Sequence, residues 1–181
     1  MASWTDAERI TADFSAGSFA IEVSVNNQWS SASEMTFSSA GMFPGTVTAA
    51  PVFVRTTPDS TTAGSLRLAG NGVSGASSVA NQLLYRVTAS TITPAQVQSF
   101  TCPNTGTPSG TFVLGSAAEW VALAESQSAD VSQRVNAAAG NVVAYCFQIR
   151  LSQSAPSSVQ GLSTTHTWVW NAESLSETGT P

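Results

Sequence analysis

Few side chains in this sequence can do acid–base, nucleophilic or metal chemistry, and their settings argue for structure. His166 is the only imidazole among 181 residues. It lies in Thr165-His166-Thr167-Trp168-Val169-Trp170, where His166, Trp168 and Trp170 alternate with the other three as in a strand, an ordinary place for a structural histidine. A hydrolytic zinc takes three protein ligands and an open position. One histidine, with no HExxH pair, offers only itself and carboxylates. No serine stands in a Gly-x-Ser-x-Gly elbow. The residues therefore predict no catalytic group, no metal site and no cofactor.

Cys102 and Cys146 are the only cysteines. An even pair so widely spaced is no zinc knuckle and reads as a disulfide, the alternative being two buried free thiols. Closing a loop of that length stabilises by about 4 kcal/mol in the chain-entropy model. Asp6, Glu8 and Asp13 could lend oxygens to a calcium site or form a solvated charged arm, and the turn around Asp59 invites the same two readings. Five tryptophans, Trp4, Trp29, Trp120, Trp168 and Trp170, could build a sugar-binding platform, but most read as core. Trp4 is the exception, because its segment has no core of its own. A threonine array of the kind that binds ice is absent, apart from Thr165 and Thr167.

The charge balance narrows the partners. All six cations are arginines, set against eleven acidic residues for a net charge of −5. Nucleic acid and anionic membranes both call for clustered cations, so neither is expected. Without lysine the chain cannot form a Lys-based isopeptide bond, which leaves noncovalent or disulfide-based assembly. With 9% charged and 42% hydrophobic residues, the surface must be an uncharged polar coat of Ser, Thr, Asn and Gln. No run approaches the roughly 20 apolar residues of a membrane span. Met1-Ala2 reads as a start joined where a signal peptide has been removed.

The elements that position these residues are strands. Phe19, Ile21, Val23 and Val25 alternate with polar residues, as do Tyr145, Phe147, Ile149 and Leu151, so each set predicts a half-buried strand. Met35 and Phe37 are expected inward on a less regular strand. Residues 46–57 are largely β-branched, and Pro51 places that strand at an edge or a bulge. Residues 66–68 and 83–87 are further strands, separated by a loop containing Gly70, Gly72 and Gly75. Thr93-Pro94 opens a short helical turn reaching Phe100. Ser116 and Glu119 form a capping box that predicts a helix continuing through Trp120, Leu123 and Ala124. Residues 126–140 read as a polar loop with a helical turn near 131–135. Strands accumulate without intervening helices, which predicts an all-β fold: a jelly-roll-like antiparallel β-sandwich of about eight to ten strands, with one or two short helices in crossover loops.

Three passages carry a resemblance to a known family. They are Ser3-Trp4-Thr5-Asp6-Ala7-Glu8 followed by Phe14-Ser15-Ala16-Gly17-Ser18-Phe19, then Met42-Phe43-Pro44-Gly45 before residues 52–56, and lastly the Cys146 strand, the loop with Pro156 and Gly161, and the aromatic strand ending at Asn171-Ala172. Together they resemble the TasA/camelysin-like family of extracellular matrix proteins exported with a SipW-type signal peptidase. The resemblance implies the same sandwich and a secreted, extracellular or cell-surface protein, a structural subunit of a biofilm matrix or surface filament. It implies a homopolymer, built head to tail by noncovalent donation of an amino-terminal strand, with other matrix components as further partners. The domains expected are an arm at 1–13 carrying Trp4, Ile10 and Phe14, one sandwich at 14–172, and a disordered acidic tail at 173–181. A secreted carbohydrate-binding or adhesive module is the alternative function. A camelysin-like metalloprotease is a further one, although the family's protease activity finds no ligand set here.

Overall fold

A computed structural model of the chain describes residues 3–8, 18–25, 28–39 and 41–175. Two antiparallel sheets pack face to face. Sheet I is built from β1 (Ser3–Glu8), β4 (Ala32–Ser39), β6 (Gly64–Gly75), β10 (Gln133–Val135) and β12 (Thr164–Ser174), in the order β1-β4-β12-β6-β10. Sheet II contains β2 (Ile21–Ser24), β3 (Trp29–Ser30), β5 (Val47–Thr56), β7 (Leu83–Ile92), β8 (Thr111–Leu114), β9 (Val121–Ala122) and β11 (Val142–Leu151). Its order is β3-β2-β5-β11-β7-β8, with β9 also on β7. From β4 to β7, and again from β10 to β12, successive strands change sheets, which makes the sandwich jelly-roll-like. Twelve strands lie among the described residues, three of them only two or three residues long.

Alternation decides what lies between the sheets. Tyr145, Phe147, Ile149 and Leu151 from β11 meet His166, Trp168 and Trp170 from β12, and Met35, Phe37, Leu66, Leu68, Val52 and Val54 complete the same core. Phe147 lies 4.9 Å from the Trp168 ring and Tyr145 5.5 Å from Trp170, in tilted aromatic contact. Fully burying a large apolar side chain is worth about 1.5–3 kcal/mol, so this seam is the main source of cohesion. Pro51 takes the expected edge position in a local sense. The pairing of β2 with β5 begins only at Phe53, so β5 lacks a second neighbour where its proline lacks an N–H.

The outer face of sheet II departs from the half-buried strand that alternation predicts for β11. Ala144, Cys146 and Gln148 point away from the core yet are each 1% exposed. Residues 93–110 and 115–120, on either side of β8, cover this face. A 3-10 turn at Pro94–Ser99 lays Val97 and Phe100 over Phe53, Val142 and Ala144, and the Cys102–Cys146 disulfide ties the segment down. Arg86, 5% exposed, completes the attachment. Its Nε donates to Gln148 Oε1 (2.8 Å), Nη1 to the carbonyls of Ala117 (2.8 Å) and Ser116 (3.4 Å), and Nη2 to that of Gly106 (2.8 Å). Gln148 Nε2 in turn donates to the Pro103 carbonyl at 2.6 Å.

Four local expectations are corrected. The glycine-bearing stretch with Gly70, Gly72 and Gly75 is part of β6, because pairing with β12 overrides the weak strand preference of glycine. At the expected capping box, Ser116 Oγ does accept from the amides of Ala118 (3.2 Å) and Glu119 (2.9 Å), but only a turn forms. Trp120 is held by Arg86 and Arg150, and residues 121–122 pair with β7 as β9. Near 131–135 the chain forms β10 rather than a helical turn. At the carboxyl end β12 continues through Glu173 to Ser174, beyond the boundary drawn at 172, and residues 176–181 of the expected tail lie outside the described residues. One short α-helix, α1 (Ser77–Ala80), and three 3-10 turns account for the helical content of the described residues.

Removing the Arg86 guanidinium leaves the buried Gln148 Oε1 unmet, at a cost of about 1–3 kcal/mol, and takes the donor from three part-buried carbonyls. Arg86→Met is therefore expected to lower unfolding free energy by about 3 kcal/mol or more in urea denaturation, and Arg86→Lys to recover only part of that. Reduction of the disulfide, or Cys102→Ser with Cys146→Ser, is expected to cost about 4 kcal/mol by the same measurement.

Candidate functional site

The amino-terminal segment is the site the sequence singles out, and the fold gives it a place. Residues 3–8 form β1, paired antiparallel with β4 so that Trp4 stands opposite Phe37 and Asp6 opposite Met35, with a register shift between Ala7 and Glu8. Over this stretch the arm is a strand of its own sheet. It takes the outermost position, with a single neighbour among the described strands. Ile10, Phe14 and Asp13 lie outside the described residues. Among those described, no group of three or more His, Cys, Asp or Glu residues could hold a metal ion. Asp59 sits in a turn fastened by its backbone, its carbonyl accepting from Ser18 Oγ at 2.7 Å.

Beside β1, strand register assembles a surface that the linear sequence does not display. Thr165 of β12 stands opposite Ser38 of β4 and Ser74 of β6, while Thr167 stands opposite Thr36, their hydroxyls 3.1 Å apart. Ser3 and Thr5 of β1 continue the two rows by register. The outer face of sheet I thus carries cross-strand rows of hydroxyl residues, although no Thr-x-Thr repeat recurs along the chain. No sequence signal marks them, because the rows exist only once the pairings are known.

His166 is fully buried on the inner face of β12. Its Nε2 lies 3.3 Å from Ser126 Oγ, and its Nδ1 has no hydrogen-bond partner. The Trp168 and Tyr85 rings stand 4.2 and 6.1 Å away. Ser126 reaches this position from a left-handed backbone (φ 47°) at the end of the 3-10 turn Leu123–Glu125. That loop rests directly on β6: a Cβ at Gly70 would come within 2.6 Å of the Ser126 backbone, and the Gly70 amide donates to the Gln127 carbonyl. Burial pushes the imidazole down to about 4, so it is neutral at physiological pH. No carboxylate meets Nδ1 to stabilise an imidazolium, so the pair provides a cap for a neutral ring in the core.

The tryptophans whose side chains are described are either core or have an arginine over the ring. Trp168 and Trp170 are core. Trp29 lies under Arg55 (3.9 Å), which is itself paired with Glu22 at 2.6 Å. Trp120 takes Arg86 at 4.4 Å and Arg150 at 4.2 Å. Cys102 and Cys146 are joined, as read from their number and spacing. No family model matches the chain, and no curated protein matches it in sequence.

The depressed histidine value predicts acid sensitivity of a definite sign. Between the unfolded value of about 6.5 and the folded value of about 4 the unfolded chain binds more protons, so stability falls as pH falls through that window. The histidine's share of the loss between pH 7.5 and pH 4 is about 3 kcal/mol. Unfolding free energies from urea denaturation at pH 7.5 and pH 4 are expected to fall by about 3 kcal/mol less for His166→Gln than for the wild type.

Proposed function

We propose that this chain is an extracellular structural protein of the TasA/camelysin-like kind, a subunit of a biofilm-matrix or surface filament assembled head to tail by exchange of its amino-terminal strand. The observation that carries the reading is the position of β1 at the margin of sheet I, where β4 is its one neighbour among the described strands. The strand beside a sheet edge can be supplied by the same chain or by a neighbour, and the backbone hydrogen bonds are equivalent. Passing β1 of each subunit to the β4 edge of the next is a heterologous contact. It propagates as an open filament rather than closing as a dimer. The disulfide is compatible with an oxidising, extracytoplasmic setting, and no described helix is long and apolar enough to cross a membrane.

Deletion of residues 2–13 is expected to leave a folded, less stable monomer that forms no filaments by electron microscopy, and Trp4→Ala to weaken assembly. A Thr5→Cys/Thr36→Cys variant, placing a cysteine on each of two opposed positions, separates exchange from mere edge contact. Oxidised after assembly, it is expected to give a ladder of covalent multimers on a non-reducing gel. Filaments from the truncated protein, or filaments whose cross-links all lie within single chains, would refute strand exchange.

A further inference from the structure

An open groove of about 590 Å³ lies where β7, β9 and the turns at 115–119 and 123–127 meet, lined by Leu84, Val121, Ala122, Trp120, Glu119, Glu125 and Gln127 with the backbone of Gly115. Its volume falls in the range of about 300–1,000 Å³ usual for small-ligand sites. The wall is well anchored. Gly115 (φ 70°) lies so close to β7 that a Cβ there would approach Arg86 Cβ at 2.9 Å, and Trp120 is clasped by Arg86 and Arg150. With guanidinium groups over its ring, Trp120 serves as a fixed wall rather than a stacking platform.

The polar lining is rich in acceptors and poor in donors. Ionised carboxylates only accept, and Gln127 Nε2 already donates to Glu125 Oε2 at 2.7 Å, orienting that carboxylate and using part of the amide's donor capacity. None of the lining residues is a cation; Arg86, whose donors go to Gln148 and to the carbonyls of Gly106, Ser116 and Ala117, and Arg150 both lie over the Trp120 ring. An anionic ligand would meet two like charges. A fitting ligand brings several donors, a positive charge and a compact apolar face for Leu84, Val121 and Ala122. A lysine side chain supplies only one donor group on a flexible stem, whereas an aminated sugar ring carries hydroxyls, an ammonium and a C–H face on one rigid body. We propose that this groove binds a cationic amino-sugar unit of a glycan, with the ammonium and hydroxyl groups donating to Glu119, Glu125 and the Gln127 carbonyl oxygen. The proposal stands apart from strand exchange, since the groove belongs to sheet II and its bordering turns.

Isothermal titration of the full chain with a fully deacetylated glucosamine trisaccharide tests it, beside the N-acetylated trisaccharide and trilysine. Binding of the deacetylated sugar is expected, weakened about tenfold by either Glu119→Gln or Glu125→Gln, the loss of one charge-assisted contact. The circular dichroism spectrum and melting temperature are expected to stay unchanged, because both carboxylates are exposed. The N-acetylated sugar and trilysine are expected to bind at least about tenfold more weakly. Absence of binding, equal binding of trilysine, or affinity untouched by both substitutions would each overturn the assignment.

Discussion

At Arg86 a guanidinium has been taken out of water without a carboxylate among the described residues to meet it, and much of sheet II follows from how that charge is accommodated. Desolvating an ion costs several kcal/mol even after relaxation, and burial, with Arg150 nearby, lowers the pKa of this arginine. The compensating groups are carbonyl oxygens of Gly106, Ser116 and Ala117 and the amide oxygen of Gln148. All three carbonyls belong to the segment that crosses the sheet. The segment has little regular structure to hold it in place, and the charge has no other acceptors among the described residues. Each therefore requires the other, and the disulfide from Cys102 to Cys146 fastens the same layer to β11.

Once that layer is down, the two sheets differ in what they can offer. The outer face of sheet II is occupied by Val97, Phe100, the disulfide and the arginine network. At the border of the covering segment, Trp120 and the β9 turn leave a groove. Among the described residues, sheet I has no such cover. Its outer face holds the hydroxyl rows of β4 and β12, with Arg67, Asn171 and Glu173 exposed at its other end. A chain with so few charges keeps such a face wet through Ser and Thr hydroxyls rather than ions. Those groups are readily matched by another polar surface at small desolvation cost.

What could be read from the sequence is what depends on neighbours two residues apart. The inward faces of β11 and β12 follow from alternation, and Met35 and Phe37 fall where that pattern puts them. What could not be read depends on pairing across the chain. Gln148 looks solvent-facing until residues 103–106, more than forty positions away, supply its partners. Ser116 and Glu119 carry a helix signal that their hydrogen bonds honour locally, and it fails only because Val121 and Ala122 find an open stretch of β7. The amino-terminal segment has no periodicity of its own, yet it forms a strand because β4 presents an edge beside it. Ser126, drawn to His166 from a left-handed backbone, has no local mark at all.

The same dependence on pairing bears on how an exposed edge is kept from indiscriminate association. Natural sheets often place lysine on an edge strand for that purpose, and this chain has none. Here β1 closes the β4 edge, so a partner must displace it before reaching the sheet. The outer margin of β1 is short, broken by a register shift, and carries Asp6 and Glu8 in its sequence. A net charge of −5 adds mutual repulsion between copies that weakens with salt. Under strand exchange, each β1 removed from its own β4 is replaced by an equivalent one, so few backbone hydrogen bonds are lost at equilibrium. In the proposed exchange the barrier would lie in the opening step, and assembly would release an edge already built rather than create a new one.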